Sequence, residues 1–135
     1  MRPNYLSTVL LAGATLLSNS LAFPDDIYVV SNSDMKLDVR DVRDIYLGNK
    51  EFGNDIRFLP IDNQTVQAAF LFKVVGMDMN RYINHWIKKA FRDALNPPAV
   101  KATDRDVLEF VKRTPGAIGY VSTPPDKEVV IVTKY

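Results

Sequence analysis

Apolar and polar residues follow two rhythms along this chain, and the rhythm changes at turn-forming residues. Ile27-Tyr-Val-Val30 is a short apolar, β-branched run that predicts a buried first strand. Ser31 to Asp34 is a polar break. The spacing then lengthens: Val39, Val42, Ile45 and Tyr46 fall on one face of a helix over 39–47. Asp38 is its N-cap, Asp41 lies in its favourable first turn, and Gly48 can close it in the left-handed conformation. Residues 49–55 read as a loop. Ile56 to Ile61 is strand-like, with Pro60 confining that end to an edge or a strand terminus. Val66 to Val75 is apolar around most of its circumference and predicts a largely buried helix, capped near Asn63 and ended at Gly76.

The second half repeats the alternation. Asp78 caps a helix running to about Ala90, with Tyr82, Ile83, Trp86, Ile87 and Ala90 expected inward. Arg81, Asn84, His85, Lys88 and Lys89 are expected outward. Asn96-Pro-Pro98 breaks the chain. Thr103 or Asp104 caps a further helix with Val107, Leu108 and Val111 inward. Pro115 stops it, and Gly116 can take the positive φ of a tight turn. Ala117 to Ser122 then reads as a buried strand, in which Gly119 marks close approach of another backbone or a ligand. A loop built on Pro124-Pro-Asp126 leads to a final strand, Glu128 to Thr133. Strands alternating with helices predict an α/β domain with a mixed sheet.

The first 22 residues read differently. Arg2 gives a positive start, Leu6 to Leu17 an apolar run of about a dozen residues, and Ser20-Leu21-Ala22 a small-residue cleavage site. A spanning helix needs about 20 apolar residues, so the expectation is a secretory signal cleaved after Ala22. Residues 23–135 would form the mature domain, 113 of the 135 residues. Arg2 leaves with the signal, and 16 basic residues then balance 16 acidic ones. Charge of that kind points neither to nucleic acid nor to an anionic membrane. The chain has no cysteine, which excludes disulfides, thiol catalysis, cysteine-ligated zinc and a lipoprotein anchor. An exported, unlipidated, cysteine-free domain suits a Gram-negative periplasm, without membrane insertion once the signal is gone.

Candidate chemistry is sparse. The one histidine, His85, has no nucleophile or orienting partner nearby in sequence and reads as a solvent-facing helix residue. No metalloprotease, EF-hand, Walker or dinucleotide motif is present. Asp38, Asp41 and Asp44 read as a solvated face. Lys88, Lys89 and Arg92 suit a negative helix end, or contact with an acidic partner surface. Neither an enzyme nor a cofactor is expected. Asp62-Asn-Gln-Thr65 turns from a strand end into a helix start, where backbone N–H groups can hold an anion. Ordinary capping by Asn63 accounts for these residues. The functional alternative is an oxyanion held by the amides of Asn63 and Gln64 and the hydroxyl of Thr65.

Several segments in order carry a resemblance. Thr114-Pro-Gly-Ala-Ile-Gly-Tyr-Val-Ser122 resembles the "PGAIGYV" segment of phosphate ABC transporter substrate-binding proteins. Val39 to Gly48 resembles their "LSREQLRDIFLGK" helix, and Gln67 to Phe70 with Val74 to Met77 resembles "REAFLQRVLGM". Trp86 and Phe91 match "YWARLIF", and Pro97-Pro98 and Asp106 to Val111 follow in order. The resemblance implies a single-lobe, type-2 periplasmic-binding-protein-like α/β domain, its mixed sheet flanked by helices. It implies phosphate or another small oxyanion as ligand, at Asn63, Gln64 and Thr65, and an ABC transporter membrane component as partner. The chain departs from the family in having length for one lobe only. It replaces the "R-x-x-G-S-G-T" anion loop by Asp62-Asn-Gln-Thr65, and carries Asp93 where a glycine follows the aromatic. These departures motivate the alternative: a lobe that has lost its ligand and binds an envelope protein or a second copy of itself.

Overall fold

The computed structural model describes residues 23–135. The expected signal over 1–22 lies outside them. A five-stranded sheet runs in the order β5-β4-β6-β1-β7. Its strands are β1 (Tyr28–Ser31), β4 (Leu59–Asn63), β5 (Ala99–Lys101), β6 (Ala117–Val121) and β7 (Val130–Lys134). β4 lies parallel to β5 and β6, while β1 pairs antiparallel with β6 and β7. The mixed sheet expected from the alternation is therefore present. β2 (Phe52–Gly53) and β3 (Ile56–Arg57) form a separate small hairpin. Asn54 and Asp55 both take positive φ at its tip, 50° and 64°, the conformation a tight two-residue hairpin needs.

Period-two alternation in the central strands divides the core. Val29, Ile118 and Tyr120 face one helical layer, and Val30, Ala117 and Val121 face the other. The first layer holds α1 (Val39–Tyr46), α2 (Gln67–Phe70) and α3 (Met79–Asp93); the second holds α4 (Asp104–Arg113). In the first, the Phe70 and Tyr120 rings stack at 3.7 Å between centroids, and Tyr46 stands edge-on to both. The Tyr46 hydroxyl lies 2.9 Å from the Ile61 carbonyl and 3.2 Å from that of Ile118, clamping α1 onto neighbouring strands.

α1 begins as expected. The Asp38 side chain accepts from the Asp41 N–H, and Asp41 accepts from the Asp38 N–H. Gly48 takes φ +71°, and a Cβ there would lie 2.7 Å from the Trp86 ring. Glycine is required twice over, for the conformation and for the approach of α3.

Four expectations need correction. The strand expected over 56–61 splits, and β4 continues through Asp62 and Asn63. Pro60 sits near its start, beyond the reach of β5, which pairs only with Ile61 to Asn63. The helix expected over Val66 to Val75 changes type and is not capped by Asn63: its N-cap is Val66, and a four-residue α2 passes into a π turn over Leu71–Val75, closed by the Gly76 N–H on the Leu71 carbonyl at 2.7 Å. β5 follows Pro98, too short to show as a pattern.

The fourth correction is the face of α3. Tyr82, Trp86 and Lys89 turn inward, while Ile83 and Ile87 are exposed. Polar tips explain the rotation. The Trp86 indole donates to the Tyr46 carbonyl at 3.1 Å, and Lys89 donates to Asn49 at 2.7 Å with its stem against Gly48. His85 is half-buried, its Nε2 placed 2.8 Å from the Leu47 carbonyl.

Candidate functional site

The parallel strands β5, β4 and β6 end on the same side of the sheet, the position where open α/β sheets take ligands. Asn63, the last residue of β4, is fully buried there. Its amide donates to Asp104 Oδ1 at 2.7 Å and to the Tyr120 carbonyl at 3.0 Å, and its Oδ1 accepts the Thr65 N–H at 3.0 Å. The Gln64 N–H goes to the Lys101 carbonyl at 2.8 Å, and the Thr65 hydroxyl donates to the Ala102 carbonyl at 3.0 Å. Asn63, Gln64 and Thr65 are thus brought together, with these groups tying the β4–α2 turn to the β5–α4 turn. α2 is one turn long, and no side chain caps it. Two carboxylates stand beside the turn: Asp62 within β4 and Asp104 at the start of α4.

Asp62 is buried beneath α3. Tyr82 donates to its Oδ2 at 2.7 Å and Tyr120 to its Oδ1 at 2.8 Å. Burial raises its pKa to about 6, against the pull of hydrogen bonds from Tyr82, Tyr120 and Gln67. Burial, then the charge of Asp62, holds both tyrosine hydroxyls well above their ordinary range, so they remain donors. No ion pair among the described residues engages Asp62. The sequence hid this constellation because Asp62 read only as part of a turn. Its signal was an acid directly following the apolar strand residue Ile61.

Above Asp62, α3 and β5 leave a groove of about 410 Å³ lined chiefly by Met79, Ile83, Ile87, Ala90, Pro97 and Val100. Ile83, Ile87 and Phe91, four residues apart, form one exposed stripe at 48, 63 and 96% exposure, with Val100 at 53% across the groove. Arg81, Lys88 and Arg92 are exposed on the same helix, with Lys88 three residues from Phe91 and so next to it on the helix surface. Among the described residues no ion pair engages Arg81 or Lys88, and Arg92 pairs only with its neighbour Asp93. The basic cluster expected as Lys88, Lys89 and Arg92 is divided, because Lys89 is buried.

Asp41 pairs with Lys50 at 2.7 Å, and that bond holds its carboxyl below the usual range. No group of three or more His, Cys, Asp or Glu among the described residues is arranged to hold a metal ion. Among the same residues no helix is long and apolar enough to cross a membrane.

No family model matches the chain, and no curated protein matches it. Solved structures do. The chain is similar to a protein from Clostridium perfringens assigned as a phosphate ABC transporter substrate-binding protein, with bound phosphate, at 20% identity and a TM-score of 0.61. The match covers 78% of this chain and 43% of that one. An ABC-type phosphate transport receptor from Vibrio cholerae aligns at 15% identity and a TM-score of 0.49, over 78% and 44%. The chain thus spans less than half the length of these solved structures. The first likeness shows the fold: a mixed α/β sheet flanked by helices, matching a single lobe of a periplasmic-binding-protein fold.

Proposed function

We propose that this chain is an exported, non-enzymatic binding module that uses one periplasmic-binding-protein lobe to dock another envelope protein. The observation that carries the reading is the apolar stripe Ile83-Ile87-Phe91 beside Val100, on a helix whose solvent side also exposes Lys88, next to Phe91, and Arg81 and Arg92. Exposed apolar surface of this continuity marks an interaction site. The occupant it fits is an amphipathic helix with an acidic flank: apolar side chains fill the groove and carboxylates meet the basic residues. A second copy related by an antiparallel α3 pairing would set basic flank against basic flank.

The test places a photo-crosslinker at Ile87 in the cell envelope, with Arg105 on α4 as control position. A discrete heteromeric adduct is expected from Ile87, lost at high salt and in Lys88→Glu. An adduct of twice the chain's mass, or none above the Arg105 control, overturns it.

A second reading is a small oxyanion, phosphate first, held near Asn63, Gln64 and Thr65 for an ABC transporter component. Its support is the position of this turn at the ends of parallel strands and the fold shared with a protein described with bound phosphate. Asp62 and Asp104 oppose it by repulsion. Calorimetric titration of the purified protein with phosphate separates the two. Absence of heat at millimolar phosphate excludes the second reading, and saturable heat supports it.

A further inference from the structure

Four donors converge on the Asp104 carboxylate. Asn63 Nδ2 reaches Oδ1 at 2.7 Å; the Ser122 N–H, Ser122 Oγ and Thr123 Oγ1 reach Oδ2 at 3.1, 2.9 and 3.2 Å. They come from separate elements, the end of β4 and the residues just after β6. None is a cation, and among the described residues no ion pair engages Asp104. An amide, a backbone N–H and two hydroxyls around one anionic group are the donors of a neutral oxyanion site. The cluster lies where the parallel strands end, the ligand position of open α/β sheets.

We infer that Asn63, Ser122 and Thr123 form an oxyanion site that the chain's own Asp104 keeps filled. The class of ligand is set by the occupant: a group with two coplanar oxygens and one negative charge, a carboxylate before a phosphate. While Asp104 is in place, its charge and its use of the donors exclude an external anion. The inference is independent of the docking surface on α3, so either can fail without the other.

Chemical rescue tests it. Asp104→Ala removes the carboxylate and leaves the four donors. The variant and the wild type are melted in chloride, formate, acetate and phosphate at matched ionic strength. Asp104→Ala is expected to melt below wild type in chloride. Formate at tenfold its dissociation constant should then raise the melting temperature by about 5 °C, saturably, with wild type unmoved. Adding Ser122→Ala and Thr123→Val should abolish the rise. A response to phosphate alone would transfer the site to phosphate and overturn the carboxylate preference. No response beyond chloride, or an equal response in wild type, overturns the site itself. If Asp104→Ala does not fold in chloride, refolding in formate is measured instead. Recovery in formate but not in chloride supports the inference, and recovery in neither overturns it.

Discussion

Gly119 gives the sharpest test of the core. It pairs with Val30 in the middle of the sheet and faces α4. A Cβ built there would lie 2.6 Å from Val107 Cγ1, 3.2 Å from Val111 Cγ2 and 3.3 Å from Ile61 Cγ1. Carbon atoms in contact prefer about 3.5–4.0 Å. Val107 is β-branched and helical, so essentially one χ1 rotamer is open to it and it cannot swing aside. α4 must instead move off the sheet. Overpacking of this kind costs about 1–3 kcal/mol. Removing glycine's freedom in the unfolded chain offsets up to about 1 kcal/mol. Gly119→Ala should therefore lose about 1–2 kcal/mol, and Gly119→Val, with two more carbons, about 3 kcal/mol. At roughly 4–8 °C per kcal/mol, alanine should lower the melting temperature by about 5–10 °C and valine by about 15 °C. Circular dichroism melts and denaturant midpoints measure both. Val107→Ala removes the obstructing methyl groups, so its combination with Gly119→Ala should cost less than the two single changes added. A Gly119→Ala protein that melts at or above wild type, or a strictly additive double variant, would refute the reasoning.

Three further outcomes follow from other contacts. Thr65→Ala loses one exposed hydroxyl bond to Ala102 and should cost at most about 1 kcal/mol, far less than Gly119→Val; equal losses in melting would refute the ranking. Tyr46→Phe strips a buried donor from the Ile61 and Ile118 carbonyls and should cost about 1–3 kcal/mol, read from the urea midpoint, which an unchanged midpoint would contradict. The Asp62 carboxyl has a folded pKa of about 6 against an ordinary 3.8, so the folded state binds the proton more tightly. Its contribution is greatest below pH 4 and is lost as pH rises through 6. Asp62→Asn should therefore gain on wild type over that window, by up to about 3 kcal/mol, and parallel melting-temperature curves across pH 4–7 would rule this out.

How much was legible in the sequence depended on whether the deciding physics was local. Capping at Asp38 and Asp78, the left-handed stops at Gly48 and Gly76, and the Pro115-Gly116 corner all depend on residues within a turn of one another, and each stands where the pattern put it. The buried β6 strand and the mixed α/β class followed from runs and alternation, which report burial directly. Tertiary structure decided what periodicity could not weigh. Ile83 and Ile87 looked inward by hydrophobicity, but Tyr82, Trp86 and Lys89 had distant partners in Asp62, Tyr46 and Asn49, and those bonds turned the helix. Asn63, Gln64 and Thr65 were visible as a turn. That their polar groups would be engaged by Asp104, Lys101 and Ala102 was not, because those partners lie some forty residues away and meet them only through parallel pairing of β4 with β5 and the packing of α4. A single sequence states which groups need partners, and only the folded chain determines which partners they find.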